Sequence, residues 1–396
     1  MTAAAAPTRV VRIIARLNIG GPAIQAISLT RSLEPLRYAT ILVRGTEDAS
    51  EGTMDPLAHR LGVRPHRVPS LRRAPGWHDL RALGALVRII ARERPQIVHT
   101  HAAKAGTLGR IAAIVAPGRS GRVLVHTFHG HSLRGYFSPR TARFYLIVER
   151  LLARRTTRLV AVSEEVRDDL VSLGVAPLQR FEVIPLGFDL APFSTPADQG
   201  RRRARLRAEL GIPADLRLIT IVARLVPIKR VDRFLRIACQ LADRADVHFL
   251  IVGDGELRQR LRASPEARAL ADRVTWAGFR ADMPDIYFAS DVVVLTSDNE
   301  GTPVSLIEAL AAGVPVVSSR VGGVPSVVRD GQTGLTEAAQ DEDRLRRAVG
   351  RLLDQPELAT RLASQGREHA LAHFSIDTLV SRTDRLYREL LTGAAR

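Results

Sequence analysis

The residues best placed to do chemistry are the carboxylates Glu300 and Glu308, the cations Arg224 and Lys229, and a cluster of histidines between positions 99 and 131. The two glutamates bracket the segment Asn299-Glu300-Gly301-Thr302-Pro303-Val304-Ser305-Leu306-Ile307-Glu308. An apolar run just ahead of it, Val292-Val293-Val294-Leu295, reads as a buried parallel strand. Thr302 is expected as N-cap of the following helix and Pro303 as its first residue, where a missing N–H costs nothing. Gly313 then ends the helix as its C′ residue, with Pro315 beyond. On that helix Val304, Ile307 and Ala311 are expected to face the core, leaving Glu308 on a small-residue face with Ser305 and Ala312. A strand that runs through a glycine turn into a helix leaves backbone N–H groups free at the carboxyl edge of its sheet. Such donors suit a diphosphate or a sugar. One glutamate alone would read as a solvated residue; two around such a turn are a more specific signal.

Arg224 and Lys229 stand five positions apart, directly after the apolar segment Ile219-Thr220-Ile221-Val222-Ala223. At a strand's carboxyl end, Arg as a fork and Lys as a point charge can reach one diphosphate. Arg230, beside Lys229, is a candidate auxiliary contact. Gly20-Gly21 opens a helix after the first strand, where glycine lets backbone approach a ligand closely. Gly253-Asp254-Gly255 is too short for a dinucleotide fingerprint. Five of the eleven histidines, His99, His101, His126, His129 and His131, lie within 33 residues. The spacing of His99 and His101 hints at zinc, but no Cys, Asp or Glu with ligand spacing accompanies them. Asp341-Glu342-Asp343 sits at a helix start, where acids suit the dipole, and not after a strand. No metal and no cofactor is expected.

These residues must be positioned by strands that alternate with helices, the pattern of parallel sheets covered on both faces. In the first half the expected strands are 10–15, 38–43, 96–100, 122–127 and 158–162, with helices at 78–93, 105–115 and 140–154. Residues 181–189 cross to the second half, whose expected strands are 218–223, 247–252, 274–276, 291–295 and 315–318. Arg201, Arg202, Arg203, Arg205 and Arg207 begin a helix that reads as a solvated linker. A final helix over 376–391 carries Leu379, Leu386 and Leu390 on one face.

Length favours two domains, and 45% hydrophobic with 25% charged residues suits a soluble globular chain. One cysteine, Cys239, excludes a disulfide scaffold and fits a reducing compartment. No apolar core of signal-peptide length opens the sequence and no eighteen-residue apolar run occurs, so the expectation is a cytoplasmic protein. The net charge of +17 is uneven: residues 1–190 hold 28 Lys/Arg against 14 Asp/Glu, residues 191–396 hold 30 against 27. Nucleic acid, an anionic membrane or an acidic acceptor could each answer that excess. No zinc knuckle, RNP signature or basic heptad region appears, and aromatics are only 5%. The membrane surface, or a lipid-phosphate acceptor, is the favoured partner, and nucleic acid is not.

The frame Glu300-Gly-Thr-Pro…Leu306-Ile-Glu308-Ala-Leu-Ala-Ala-Gly-Val-Pro, followed by Gly322-Gly323-Val324-Pro325 and Asp330-Gly331-Gln332-Thr333-Gly334, resembles the nucleotide-sugar site of glycosyltransferase family 4. The resemblance covers nearly the whole chain and is strongest over 215–335 and 122–134. It implies an α/β fold of GT-B type, two Rossmann-like domains with parallel sheets facing across a cleft. The implied domains are 1–190 for the acceptor and 191–375 for the nucleotide-sugar, with 376–396 packing back on the first. It implies a retaining enzyme in which Glu300 holds sugar hydroxyls, Glu308 the ribose, and Gly301, Thr302 and Val304 the donor beside them. Arg224 and Lys229 match the family's R-x4-K element and would stabilise the departing diphosphate, doing without a metal. Gly20 and Gly21 match a loop that closes over the donor, and Gly278-Phe279-Arg280 the loop that meets the base. His129 matches the T-x-H-G element and would hydrogen-bond the transferred sugar; a neutral His there can also assist proton handling. His101, Lys104 and His131 are candidate acceptor contacts. With no carboxylate placed as nucleophile, front-face attack with the leaving phosphate as base is the expected mechanism. Leu186-Gly187-Phe188-Asp189 stands where the family often has Asn-Gly-Val-Asp, and the run His126–Glu165 resembles enzymes of bacterial surface polysaccharide. Phe137, Phe144 and Tyr145 among Arg134, Arg140 and Arg143 read equally as an interfacial amphipathic surface, which would suit the inner face of a membrane, and as an ordinary buried helix flanked by Arg. UDP is the favoured nucleotide. A GT-B epimerase and a basic nucleic-acid-binding protein are the competing readings.

Overall fold

The computed structural model describes residues 6–47, 52–118, 121–130, 139–194 and 198–393. It divides into two compact units, residues 1–188 with 376–396, and residues 189–375. In unit 1, β1 (Thr8–Ile14), α1 (Gly21–Ser32), β2 (Tyr38–Arg44), α2 (Asp55–Arg60) and β3 (His66–Arg67) come first. They are followed by α3 (His78–Glu93), β4 (Ile97–His101), α4 (Ala103–Val115) and β5 (Val123–Phe128). Then come α5 (Pro139–Arg155), β6 (Arg158–Ala161), α6 (Glu164–Ser172) and β7 (Phe181–Val183). The seven strands are parallel in the order β3-β2-β1-β4-β5-β6-β7. β7 lies within the segment expected to be crossover only; its three residues pair with β6 before the chain leaves unit 1.

Unit 2 runs through α7 (Gln199–Glu209), β8 (Arg217–Val222), α8 (Val231–Gln240), β9 (Val247–Val252), α9 (Arg258–Arg262) and α10 (Pro265–Leu270). It continues with β10 (Val274–Gly278), α11 (Met283–Ala289), β11 (Val292–Leu295), α12 (Val304–Ala311) and β12 (Val316–Ser319). α13 (Val324–Val327), β13 (Leu335–Glu337), α14 (Glu342–Asp354) and α15 (Pro356–Phe374) complete it. Its six strands are parallel in the order β10-β9-β8-β11-β12-β13. All six residues of β9, Val-His-Phe-Leu-Ile-Val, are buried, as a strand covered on both faces requires. The last helix, α16 (Ile376–Gly393), belongs to unit 1. Its Leu379, Leu386, Tyr387 and Leu390 pack with Val10, Ile97, Val123 and Val125 of that sheet.

In each sheet the strand order reverses beside the first strand of its unit, between β1 and β4 and between β8 and β11. The carboxyl ends at such a switch point are where open α/β sheets bind ligands. Among the described residues, the loops carrying Gly20, His129, Arg224, Phe279 and Glu300 each leave the carboxyl end of a strand.

The arginine-rich α7 differs from expectation. It is no solvated linker: Arg203 and Arg207 bond Asp291 at 2.9 and 2.7 Å, while Arg202 and Arg205 both pair with Asp285. Arg207 is buried and also donates to the carbonyls of Ala289 and Leu216. Two carboxylates around α11 thus hold the helix in place within unit 2, partners 80 or more residues distant in sequence.

Candidate functional site

In unit 2 the turn after β11 holds Glu300 at 8% exposure. Buried Ser297 donates to its Oε1 at 2.6 Å, and the Lys229 ammonium reaches both carboxylate oxygens at 2.7 Å. The loop after β12 clamps this turn from behind. The Gly323 N–H donates to the Glu300 carbonyl at 2.9 Å. A Cβ on Gly322 would lie 2.0 Å from the Glu300 carbonyl oxygen, and one on Gly323 1.8 Å from that of Gly301, so both positions demand glycine. Asp330 and Gly334 bridge in a further turn, where Asp330 accepts the Thr336 N–H at 2.8 Å. That element shapes the edge of the sheet.

α12 begins one residue later than the sequence pattern implies. Pro303, extended at φ −76° and ψ 90°, is the N-cap residue, and Thr302 does not cap. The first N–H groups of α12 therefore have no side-chain acceptor and no acidic residue beside them. Val304 is half-buried and not part of the core; Leu306, Ile307 and Ala309 to Ala312 fill that role. Gly301, Thr302 and Val304 thus line an accessible turn. Glu308 sits farther along α12, where buried Tyr287 of α11 donates to its Oε2 at 3.0 Å. Burial lifts its pKa to about 7, the Tyr287 bond pulling the other way.

Lys229 closes the 3-10 turn Pro227–Lys229, and Arg230 then enters α8 with a left-handed backbone at φ 48°. Arg230 is committed to Asp232 and Asp298, both contacts at 3.0 Å. Arg224 is exposed and has no side-chain partner among the described residues. Arg280 is tied to Asp282 and Glu209 at 2.8 and 2.7 Å, which leaves Phe279, 67% exposed, and the loop backbone as the open groups after β10. Ser297 and Tyr287 went unread in the sequence. The polar run Thr296-Ser297-Asp298-Asn299 after an apolar strand was the available signal for Ser297; Tyr287 lies on a different helix from its partner.

In unit 1 Gly20 is the N-cap of α1, whose first turn has no side-chain cap and no acid. At the ends of β4 and β5, His101 Nδ1 lies 3.0 Å from His129 Nε2, and His99 stacks on His101 with ring centroids 4.3 Å apart. His101 is fully buried, so it meets no acceptor directly and instead braces His129, which is partly exposed. Burial lowers the pKa of His99, His101 and His126 well below the ordinary range and holds that of His129 at about 3, so all four are neutral at pH 7. His126 is a core residue bonded to Thr100 Oγ1 at 2.9 Å. Lys104, expected to touch an acceptor, pairs with Asp79 at 2.7 Å and donates to the Ala74 carbonyl. His131, Arg134 and Phe137 lie outside the described residues. Among the described residues no three His, Cys, Asp or Glu side chains form a metal-holding group, and no helix is long and apolar enough to cross a membrane.

The model of Glycosyltransferase Family 4 matches residues 19–192, and that of Glycosyl transferases group 1 matches residues 202–369. A UDP-Gal:alpha-D-GlcNAc-diphosphoundecaprenol alpha-1,3-galactosyltransferase of Escherichia coli is 31% identical over 337 residues, 84% of this chain and 85% of its own length. The chain belongs to glycosyltransferase family 4. A D-inositol 3-phosphate glycosyltransferase of Acidothermus cellulolyticus is 32% identical to this transferase over 340 residues, 81% of this chain and 69% of its own. HepE of Anabaena, solved with UDP, superposes with a TM-score of 0.81 at 21% identity, covering 96% of this chain and all of that one. The fold of this family 4 transferase is GT-B, built from two Rossmann-like units. That membership supports the transferase reading over the epimerase and nucleic-acid readings.

Proposed function

We propose that this glycosyltransferase takes a sugar from a UDP-sugar bound at the carboxyl edge of the unit 2 sheet and transfers it, with anomeric configuration kept, to a hydroxyl of a lipid-linked saccharide. The observation that carries the reading is Glu300, buried in the turn after β11 and gripped by Ser297 and Lys229, with the uncapped start of α12 beside it. A carboxylate so fixed can accept hydrogen bonds from sugar hydroxyls, while the α12 N–H groups and Arg224 meet the diphosphate. Glu308, ionising near neutrality, receives the ribose diol, and the Phe279 loop the base. When the sugar C1–O bond breaks, its electron pair goes to the diphosphate, where Arg224 and Lys229 stabilise the charge. The acceptor oxygen bonds C1 on the same face and its proton passes to the departing phosphate oxygen. The two cations take the work a metal would otherwise do.

The lipid-linked acceptor follows from the E. coli relative, whose name specifies one, and from the basic surface of unit 1. On α5, Phe144, Ile147 and Leu151 are exposed at helical spacing, with Arg143 and Arg150 alongside. Such a stripe suits the anionic inner face of a membrane. Tyr145 is half-buried and not part of it. The test is incubation with a panel of UDP- and GDP-sugars and a polyprenyl-diphosphate-linked sugar in EDTA, with the product linkage assigned by NMR. Transfer from a UDP-sugar with α configuration retained is expected; inversion, a strict metal requirement, or use of GDP-sugars alone would overturn the corresponding part.

A further inference from the structure

The loop Gly253-Asp254-Gly255 follows β9, the strand between β8 and β10, so it stands between the Arg224 loop and the Phe279 loop. Its backbone is bonded to both. The Gly253 N–H donates to the Gly278 carbonyl at 2.7 Å, where β10 carries one extra residue, Ala277, opposite β9. On the other side the Leu225 N–H donates to the Asp254 carbonyl at 2.9 Å, and the Leu257 N–H to the Leu225 carbonyl at 3.0 Å. The Asp254 carboxylate is spent on the turn itself, accepting from the Gly255 N–H and the Arg258 guanidinium, both at 2.8 Å.

Both glycines are required by the closeness of this approach. A Cβ on Gly253, whose φ is +131°, would lie 2.0 Å from the Ala223 carbonyl oxygen, and one on Gly255 2.5 Å from that of Leu225. Ordinary contact starts at 3.4 Å, so with alanine at 255 the two backbones must part by about 1 Å. Ala223 and Leu225 are the residues on either side of Arg224. Leu225 is buried in the core of unit 2, whereas Arg224 is exposed and its guanidinium meets no side chain among the described residues. Arg224 is thus held at its root and free at its head, as a preorganised cation awaiting a ligand has to be.

We propose that Gly253 and Gly255 are positioning residues whose loop is a rigid spacer, fixing the Arg224 backbone relative to the Phe279 loop. The cation for the diphosphate and the platform for the base then stand at one separation before a nucleotide arrives. Base and diphosphate belong to one molecule, and its span has to match that separation. A misplacement of about 1 Å at such a cation is enough to cost about 10²-fold in rate. Gly255 approaches only the Arg224 side, whereas Gly253 touches both loops, so the two glycines fail differently when replaced. The roles of Arg224 and of the Phe279 loop rest on the function proposed above; the spacer does not.

The experiment is a double-mutant cycle with ligand binding, on full-length protein shown to be folded by near-ultraviolet circular dichroism. Gly255→Ala and Arg224→Ala are each expected to lower kcat/KM by about 10²-fold, and the double variant by no more than the worse of the two, because Gly255 acts through Arg224. Losses that multiply to about 10⁴-fold overturn the proposal. Gly255→Ala should bind UDP about 10-fold more weakly and uridine as wild type does, measured by calorimetry and saturation-transfer NMR; Gly253→Ala should weaken both. Equal weakening of uridine and UDP by Gly255→Ala, or uridine binding untouched by Gly253→Ala, also overturns it. Should Gly253→Ala fail to fold, the Gly255→Ala results decide alone. Hydrogen–deuterium exchange without ligand reads the spacer directly: Gly255→Ala should speed exchange over residues 223–229 and spare 278–281, and Gly253→Ala should speed both. Unchanged exchange over 223–229 in Gly255→Ala refutes the spacer. If exchange behaves as expected while the wild type binds no nucleotide, the proposed function fails and the spacer stands.

Discussion

Glu308→Gln should make this protein more stable and a poorer binder of nucleotide, in proportions that pH controls. The wild-type carboxyl has its pKa raised by burial from 4.5 to about 7, with one hydroxyl donor, Tyr287, to offset it. A shift of that size corresponds to about 3 kcal/mol disfavouring the charged form. The sign follows from linkage. Between the unfolded and folded pKa values the folded state holds a proton that the unfolded state has released, so the favourable contribution is complete below 4.5 and is lost as pH rises through 7. Glutamine imitates the protonated acid and can still accept from Tyr287. The variant should therefore match wild type at pH 4.5 and exceed it by up to about 3 kcal/mol at pH 8, roughly 6–12 °C in the melting of a unit this size. Thermal or urea denaturation at the two pH values reads this directly. Nucleotide affinity moves the opposite way: losing a charged acceptor for the ribose should weaken UDP about 10- to 100-fold at pH 8, measured by calorimetry. Wild-type UDP binding should itself weaken as pH falls below 7. A variant whose margin over wild type is no larger at pH 8 than at pH 4.5, or one that binds UDP as well as wild type, would refute the argument.

Arg224→Ala, at an exposed residue with no side-chain partner among the described residues, should leave the melting temperature unchanged and lower kcat/KM by about 10²-fold or more. Lys229→Ala should lower both, because it strips the cation from buried Glu300, a loss of about 3 kcal/mol or more; equal melting of the two variants would contradict the ion pair as described. Gly323→Ala places a Cβ 1.8 Å from the Gly301 carbonyl oxygen and should abolish transfer with a folded circular dichroism spectrum; an active variant would show that the turn is not clamped. Flotation with phosphatidylglycerol vesicles should weaken at high salt and on exchanging Phe144 and Leu151 for Ser, and equal binding to neutral vesicles would defeat the charge argument.

Local signals carried the reading of the fold a long way. β9 is a six-residue apolar run with every residue buried, and α3 an amphipathic helix, both legible to the residue. β3, β7 and β13 span two or three residues and pair along sheet edges, too short for any period to emerge. α7 departs from expectation because a run of arginines ordinarily faces water; its carboxylates are Asp285 of α11 and Asp291 just ahead of β11. The site divides in the same way. Glu300, Lys229 and Arg224 were visible because each follows an apolar strand, where loop position has a geometric meaning. His101 and Lys104 were visible as chemistry but misplaced, since burial in one case and Asp79 in the other depend on packing that spacing does not encode. Tyr387, 288 residues from the His99 it bonds, left no mark at all.

The two glutamates, one in the turn before α12 and one on that helix, are chemically the same and physically opposite. Glu300 is met by an ammonium and a serine hydroxyl and is pinned by two glycines behind its own carbonyl, so its position costs nothing further when a ligand arrives. That is preorganisation, useful where a sugar must be held through a reaction. Glu308 has a single neutral donor and no cation, so its charge is unfavourable until ligand hydroxyls supply what the protein withholds. Such a carboxyl suits reversible recognition of a diol: binding stabilises its charge and release restores the penalty. A sugar anchor built like Glu308 would change protonation near neutral pH during turnover, and a ribose anchor built like Glu300 would be held by Lys229 whether or not nucleotide was bound. Exchanging the environments tests this division. Tyr287→Phe removes the one donor and should push Glu308 farther up and steepen the pH dependence of UDP binding, leaving transfer at saturating donor and pH 8 near wild type. Ser297→Ala loosens Glu300 and should lower kcat with UDP affinity kept. If both variants change affinity alone, the two carboxylates share one role and the distinction drawn from their surroundings is wrong.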